Sequence, residues 1–421
     1  KLLHSTRVDR HAIRSGSSSL PCASLNTMAP TYKIYVVGGA VRDALMSLPV
    51  KDRDYVVVGA TPEQMKAAGF TAVGKDFPVF LHPTTHEEYA LARTERKTAP
   101  GYSGFAFHAA PDVTLEQDLQ RRDLTINAIA QDTDGTLIDP CNGQADIKNK
   151  VFRHVSLAFA EDPVRILRIA RFAARFTEFN VAPQTATLMH QMVESGEVDA
   201  LVSERVWQEI ARGLMEAQPS RMFAVLRECG ALKRLMPEFD GLLDQAIDTQ
   251  SDSSAFTTAK IMSELDAAAQ SGVSLPIRFS VIAYHLANEQ QTMELCLRLK
   301  LPNEVKELAV LAAREHDAIH NAADISADAI VKLLERCDAF RKSERFSDLL
   351  KLHELIDQAS YKNKLPSIDL LQRSLEAAKA VNAGQIAAVV TIEHPQNPAQ
   401  HIAAAVHAAR VNAVQAVVDR R

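Results

Sequence analysis

The chain has 421 residues, 47% of them hydrophobic and 24% charged, a balance typical of a soluble globular protein long enough for several domains. A net charge of −5 argues against a protein that coats nucleic acid indiscriminately, while leaving room for a local basic track. No apolar run approaches the ~20 residues that a membrane span requires, and five scattered cysteines (Cys22, Cys141, Cys229, Cys296, Cys337) without a Cys-x-x-Cys pair read as reduced thiols of a cytoplasmic protein.

The first 27 residues lack hydrophobic periodicity, and Met28 precedes the first strand. Residues 1–28 are read as a disordered leader or tag, although Arg7, Arg10 and Arg14 around a single acid, Asp9, also mimic an organelle transit peptide. A strand from Tyr32 to Val37 then runs into Gly38-Gly39 and a helix opening at Ala40. Glycines at such a turn let the backbone approach a ligand closely, and free N–H groups at a helix start favour an anion such as phosphate. Arg42 adds a fork of donors for the same anion. Asp52 and Asp54 follow, two apart on an extended segment leading into the Val56–Val58 strand, a spacing that aims both carboxylates at one spot. Two such charges repel unless a cation lies between them, and hard oxygen ligands beside a phosphate site suit Mg²⁺.

A short helix at Pro62–Ala68 and apolar strands at Phe77–Leu81 and Glu88–Arg96 come next, and Thr98–Phe107, rich in Gly, Pro and Ser, reads as a mobile loop. Leu115–Ile129 reads as one helix, on which Arg122, Asp123 and Asn127 bring a cation, an acid and an amide together. Leu137–Ile138 and Asn142-Gly143 suggest a strand and turn closing a mixed sheet. In the helix after Ala160, Arg165, Arg168, Arg171 and Arg175 gather on one third of the surface. Unpaired by acids within that helix after Asp162, they suit a triphosphate or an RNA backbone, while Asp162 and Pro163 also fit an N-cap and first helical residue. Beyond Arg175 the pattern is helical almost throughout, with helices expected at Thr185–Ser195, Ser203–Met215, Pro219–Cys229, Ala327–Asp338, Pro366–Ala380 and Ala399–Val418. Ala387–Ile392 reads as a strand or as a buried helix end.

The run Gly38-Gly39-Ala40-Val41-Arg42-Asp43, followed by Lys51-Asp52-Arg53-Asp54, closely resembles the head domain of bacterial class II tRNA nucleotidyltransferases, the CCA-adding enzymes of the polymerase-β superfamily. Arg121-Arg122-Asp123 and Glu161-Asp162-x-x-Arg165 extend the resemblance. It implies an α+β fold: a nucleotidyltransferase head of mixed sheet and helices over 29–153, then an all-helical neck (154–220), body (221–330) and tail (331–421). It implies template-independent addition of C, C and A to the 3′ end of tRNA from CTP and ATP, with release of pyrophosphate and with the tail gripping the acceptor arm. In this reading Asp52 and Asp54 are catalytic and hold two Mg²⁺ ions, and Gly38, Gly39 and Arg42 cradle phosphates. Arg122, Asp123 and Asn127 fix the sugar and phosphates, Asp162 and Arg165 select the base, and Arg168 and Arg171 complete the pocket. The selection is chemically intelligible. A carboxylate accepts from the exocyclic amine of C or A while a guanidinium donates to the adjacent ring nitrogen; U and G present a carbonyl and a ring N–H instead and leave polar groups unpaired.

The loop at 98–107 matches one the family needs for adding the terminal A, which weighs against a CC-only enzyme. Where many relatives carry a His-Asp metal pair, this chain has Ile282-Ala283-Tyr284-His285-Leu286, and the preceding stretch is short and lacks histidine. Phosphohydrolase activity is therefore expected to be absent, with His285, His316 and His320 as ordinary helix residues. The alternatives are an A-adding partner of a split system, a poly(A) polymerase on the same scaffold, and a catalytically silent RNA-binding module, against which the intact Asp pair argues.

Overall fold

A computed structural model describes residues 32–73, 79–97, 105–248, 253–360 and 366–420, so the expected leader and most of the expected 98–107 loop lie outside the described residues. The branched residues of Lys33–Val37 form strand β1, which passes through the Gly38 turn into helix α1 (Gly39–Leu45). Gly38 has φ +72°, a left-handed conformation that costs glycine little. Strand β2 (Asp54–Val58) runs antiparallel to β1, with Asp54 opposite Val37. The register therefore sets the first residue of β2 beside the glycine turn. Helix α2 (Pro62–Ala67) starts in a capping box between Thr61 and Gln64, and β3 (Thr71–Val73), β4 (Val79–Leu81) and β5 (Glu88–Leu91) follow.

The alternating run expected over Glu88–Arg96 is two strands in different sheets: β5, and then β6 (Thr94–Lys97), which pairs with β7 (Phe105–His108) in a separate hairpin. Phe105–Phe107 thus belongs to a strand and not to the loop. Helix α3 spans only Leu115–Gln120, and the expected continuous helix to Ile129 is interrupted. The Asp123 carboxylate accepts from the next backbone N–H, that of Leu124, at 2.8 Å, and Thr125 N–H donates to Arg153 O at 2.9 Å, so residues 123–125 extend against 153–155 before a 3₁₀ turn at Thr125–Asn127. Aspartate competing for backbone donors is a known reason for a helix to stop.

Strands β8 (Ala130–Gln131) and β9 (Leu137–Ile138) complete a seven-stranded sheet of order β3-β4-β5-β2-β1-β8-β9. It is mixed, because β2 and β5 are parallel and its other pairs antiparallel. Successive residues of β2 bury on opposite faces: Val56 joins Val37, Leu119 and Ala130, whereas Val57 joins Met65, Phe80 and Leu91. Helix α4 (Gly143–Asn149), where only a turn was expected, is capped by Asp139, which accepts from the N–H groups of Gly143 and Gln144 at 2.7 and 2.9 Å. It locks the 3₁₀ turn from below through Thr125 Oγ1, which donates to Asp146 at 2.7 Å.

After β10 (Val151–Phe152), helix α5 (Val164–Arg175) buries Ile166, Leu167, Ile169, Ala170, Ala173 and Ala174 and keeps its arginines on the other side, as the periodicity predicts. Its start differs by one residue: Pro163 precedes the first helical residue, and Asp162 accepts from the Val164 N–H at 3.1 Å. Strand β11 (Asn180–Val181) pairs with β10, and α6 (Pro183–Glu194), α7 (Ser203–Leu214) and α8 (Pro219–Glu228) follow. The apolar face of α5 packs on α7 and α8. The described residues beyond α8 form helices to Val418, and Ala387–Ile392 lies at the end of the helix Ala383–Glu393, so no strand forms; Val390 there is buried, whereas Val389 and Ile392 are exposed. One apolar cluster runs from Leu124 through these helices to Val414.

A Cβ on Gly143 would lie 2.2 Å from the Thr125 carbonyl oxygen, a backbone atom that cannot swing aside. Gly143→Ala should therefore cost about 1–3 kcal/mol of stability through overpacking, read as a lower urea midpoint at unchanged slope, and an unaltered midpoint would refute this account of the 3₁₀ turn.

Candidate active site

A cavity of about 750 Å³ opens between the sheet and helices α5 and α7, and all twelve residues singled out from the sequence line it. Nine arginines and five carboxylates face it, so this interior is net positive in a chain whose overall charge is −5. That balance suits a polyanion such as a nucleoside triphosphate.

Asp54 begins β2 and Asp52 stands just before it in irregular backbone, so the expected strand does not carry both, yet both reach the cavity. Among the described residues neither carboxylate has a hydrogen bond or ion pair. Burial pushes the Asp54 carboxyl above its ordinary range; the Arg122 guanidinium opposes this and the Asp52 charge adds to it. The two acids are thus in electrostatic contact, as a shared cation requires.

Across the glycine turn, a Cβ on Gly38 would sit 3.1 Å from Arg122 Nη1, so the missing side chain lets that guanidinium lie against the turn. Arg122 Nη2 donates to Asp118 Oδ2 at 3.0 Å, and its Nε is buried without a partner among the described residues. Asp118 is fully buried and also accepts from Arg121 Nη2 at 2.6 Å. Burial alone would raise its carboxyl, but Arg121 and Arg122 outweigh it and hold it below the ordinary range. Sequence reading missed Asp118, although an acid three and four residues before two arginines was a visible signal.

Arg42 is buried and largely committed. Its Nε donates to Asp43 at 2.8 Å, its Nη1 to Asn127 Oδ1 at 2.6 Å, and its guanidinium lies 5.1 and 5.0 Å from the ring centres of Phe172 and Phe176. Burial lowers its pKa, against the pull of Asp43. Asn127 passes the connection on, donating to Asp123 Oδ1 at 2.9 Å, and Arg168 Nε donates to Asp123 Oδ2 at 2.7 Å. Burial works to raise the Asp123 carboxyl, but Arg168 and Asn127 together hold it well below the usual range, and Asp123 in turn raises the Arg168 guanidinium.

The arginines of α5 have no acidic partner within their own helix, as expected, but they are not free of acids. Their partners come from other elements: Asp123 for Arg168, Glu209 of α7 for Arg171 at 2.6 Å, and Asp43 of α1 for Arg175 at 2.8 Å. At the start of α5, Asp162 is gripped by Arg205 of α7, and Arg165 donates to the carbonyl oxygens of Ala158 and Arg121, both at 2.9 Å. Two of the five guanidinium N–H groups of Arg165 are thereby used and three remain. Arg205 and Glu209, missed in the sequence, lie four apart on an amphipathic helix, a spacing that was legible; their partners were not.

A family model described as "Poly A polymerase head domain" matches residues 34–153, and a second, "Probable RNA and SrmB- binding site of polymerase A", matches 178–243. The chain is 54% identical over 408 residues to the Multifunctional CCA protein of Herminiimonas arsenicoxydans, spanning 92% of this chain and 98% of that one. A protein of the same name from Burkholderia mallei is 54% identical over 417 residues, spanning 92% and 99%. Among solved structures, the Bacillus stearothermophilus CCA-adding enzyme in complex with CTP aligns with a TM-score of 0.63 at 25% identity, over 91% of this chain and 89% of that one. The Thermotoga maritima CCA-adding enzyme complexed with tRNA shares the fold, with a TM-score of 0.60 at 20% identity, over 92% and 90%. With over half of its aligned residues identical to these relatives across nearly their whole length, and a head joined to helices around one arginine-lined cavity, the chain belongs to the CCA-adding tRNA nucleotidyltransferase family.

Proposed function

We infer that the protein adds C, C and A in turn to the 3′ end of tRNA, taking CTP and ATP and releasing pyrophosphate. The observation that carries this reading is the single cavity in which an uncommitted pair of carboxylates, Asp52 and Asp54, faces the base-selecting candidates Asp162 and Arg165 across an arginine-rich interior. A cytoplasmic location, where these substrates are found, is part of the proposal. The division into head (29–153), neck (154–220), body (221–330) and tail (331–421) is part of the proposal, and the head-domain match ending at residue 153 supports its first boundary.

Hard carboxylate oxygens without partners among the described residues, in a cavity shared with Arg122, whose Nε is likewise unpartnered among them, fit Mg²⁺ bound together with a triphosphate. Asp52 and Asp54 would hold the metal, whose chemistry is to ease deprotonation of the primer hydroxyl and offset charge on the departing pyrophosphate. Gly38 and Gly39 leave room for phosphate oxygens close to the backbone, and Arg122, oriented by Asp118, donates to them. Arg42 acts mainly through Asn127, fixing its amide, while Asp123 and Asn127 offer polar atoms to the sugar. Asp162 accepts from the amine of C or A and Arg165 donates to the ring nitrogen beside it. Arg168 and Arg171 finish the wall with their acids in place, so the charge that meets the ligand is already oriented.

The relatives' name is multifunctional, yet phosphohydrolase activity is proposed to be absent here. His285 is tied to the buried Glu264, and no group of three or more metal-ligating side chains occurs among the described residues. Purified protein supplied with Mg²⁺, Mn²⁺, Ni²⁺ or Co²⁺ should leave 2′,3′-cyclic nucleotides and phosphomonoesters intact; metal-stimulated turnover abolished by His285→Ala would overturn this.

Transcripts of tRNA ending before the CC, after its first C and after both separate the readings of the main activity. Labelled CTP should be incorporated on the first two and labelled ATP on the last, each lost in Asp52→Ala. Incorporation of A alone would favour the A-adding alternative. Asp54 generates a further expectation. Its raised pKa means that the folded chain binds protons more readily there than the unfolded one, so its charge costs stability increasingly as pH rises through that range. Asp54→Asn should abolish incorporation while leaving the metal-free protein more stable than wild type at neutral pH, with the gain vanishing below the ordinary carboxylate range. A variant less stable at neutral pH would contradict the assignment.

A further inference from the structure

Arg205 and Glu209 share the face of α7 that is turned to the cavity. Each engages a residue of the α5 region expected to handle the nucleotide: Glu209 holds Arg171, and Arg205 holds Asp162. The second grip is two-pronged. Arg205 Nη2 donates to Asp162 Oδ2 at 2.8 Å and Nη1 donates to Oδ1 at 3.3 Å. Oδ1 also accepts from the Val164 N–H at 3.1 Å. A carboxylate oxygen has about two acceptor directions, so Oδ1 is filled and Oδ2 keeps one. Both side chains are about three-quarters or more withdrawn from solvent, at 27% and 20% exposure, which limits their freedom to trade this contact for water.

Rejection of a wrong base depends on that restraint. A keto oxygen brought against a carboxylate is repelled, but the repulsion counts only if the carboxylate cannot turn away. An unheld Asp162 would rotate aside, relieve the clash and leave the neighbouring guanidinium of Arg165 to donate to the keto oxygen. A fork-like guanidinium fixes the plane of a carboxylate in a way a single ammonium does not.

We propose that Arg205 is a specificity-determining positioning residue, which by gripping Asp162 in two places holds one carboxylate lone pair against the base edge and so enforces rejection of uracil and guanine. The inference rests on the reading of Asp162 and Arg165 as the base-selecting pair, and it adds to that pair a residue that need not touch the base.

The test measures kcat/KM for CTP and for UTP on the transcript ending before the CC, using full-length wild type, Arg205→Ala, Arg205→Lys, Asp162→Ala and Arg165→Ala. Arg205→Ala should lower the CTP-over-UTP preference by about tenfold or more, the scale of one lost polar discrimination, and Arg205→Lys should restore only part of it. A merely structural role would depress both nucleotides by the same factor in Arg205→Ala and Arg205→Lys, and that outcome overturns the proposal. If Asp162→Ala and Arg165→Ala lose the preference while Arg205→Ala keeps it, base selection by the pair stands and the part given to Arg205 fails. If Asp162→Ala itself keeps the wild-type preference, the selecting pair was misassigned and the proposal falls with it.

Discussion

The contact on which the rest depends is the ion pair between Asp123 and Arg168. Asp123 belongs to the segment between α3 and β8 and Arg168 to helix α5, and their 2.7 Å bond ties the two walls of the cavity to each other. Asp123 is buried, and it is tolerable there because the Leu124 N–H, the Asn127 amide and the Arg168 guanidinium all donate to it. A buried carboxylate stripped of such donors is strongly destabilising. Through Asn127 the same acid reaches Arg42, whose guanidinium lies near the ring of Phe172 on α5 and that of Phe176 just after it, so the linkage crosses the boundary twice.

Pairing is the rule in this cavity. Asp118, Asp123, Glu209 and Asp43 each hold at least one arginine that faces the interior, so a high density of positive charge is kept oriented and its mutual repulsion is partly offset. A nucleoside triphosphate would meet donors whose directions are already set, and little reorganisation would be needed on its arrival. Asp52 and Asp54 are the exception, acids with no protein cation bonded to them among the described residues, which is the state in which a carboxylate pair is available to a metal.

Much of this was legible in the chain. The strand, glycine turn and acid pair from Tyr32 to Val58 followed from local rules, and the twelve site candidates drawn from them or from the family motifs line the cavity. The arginine face of α5 was likewise visible from its period. Two kinds of feature were hidden. Helical spacing across Leu115–Ile129 concealed a break, because Asp123 uses its side chain on the local backbone and the segment is drawn into extended pairing with residues some thirty positions later. The partners of the arginines were also invisible: Arg171 meets Glu209 and Arg175 meets Asp43 from distant parts of the sequence, and no window of neighbours reports such a meeting.

The apolar cluster that begins at Leu124 and ends at Val414 has a consequence for how the protein tolerates change. Since helix α5 and the terminal helices share this one interior, while the strands of the sheet bury their side chains in two others, the helices are expected to melt together rather than piecemeal. A substitution near Val414 that loosens the terminal helix would therefore show itself in a cell as a smaller supply of enzyme, cleared by quality control, while each surviving molecule kept its choice of nucleotides.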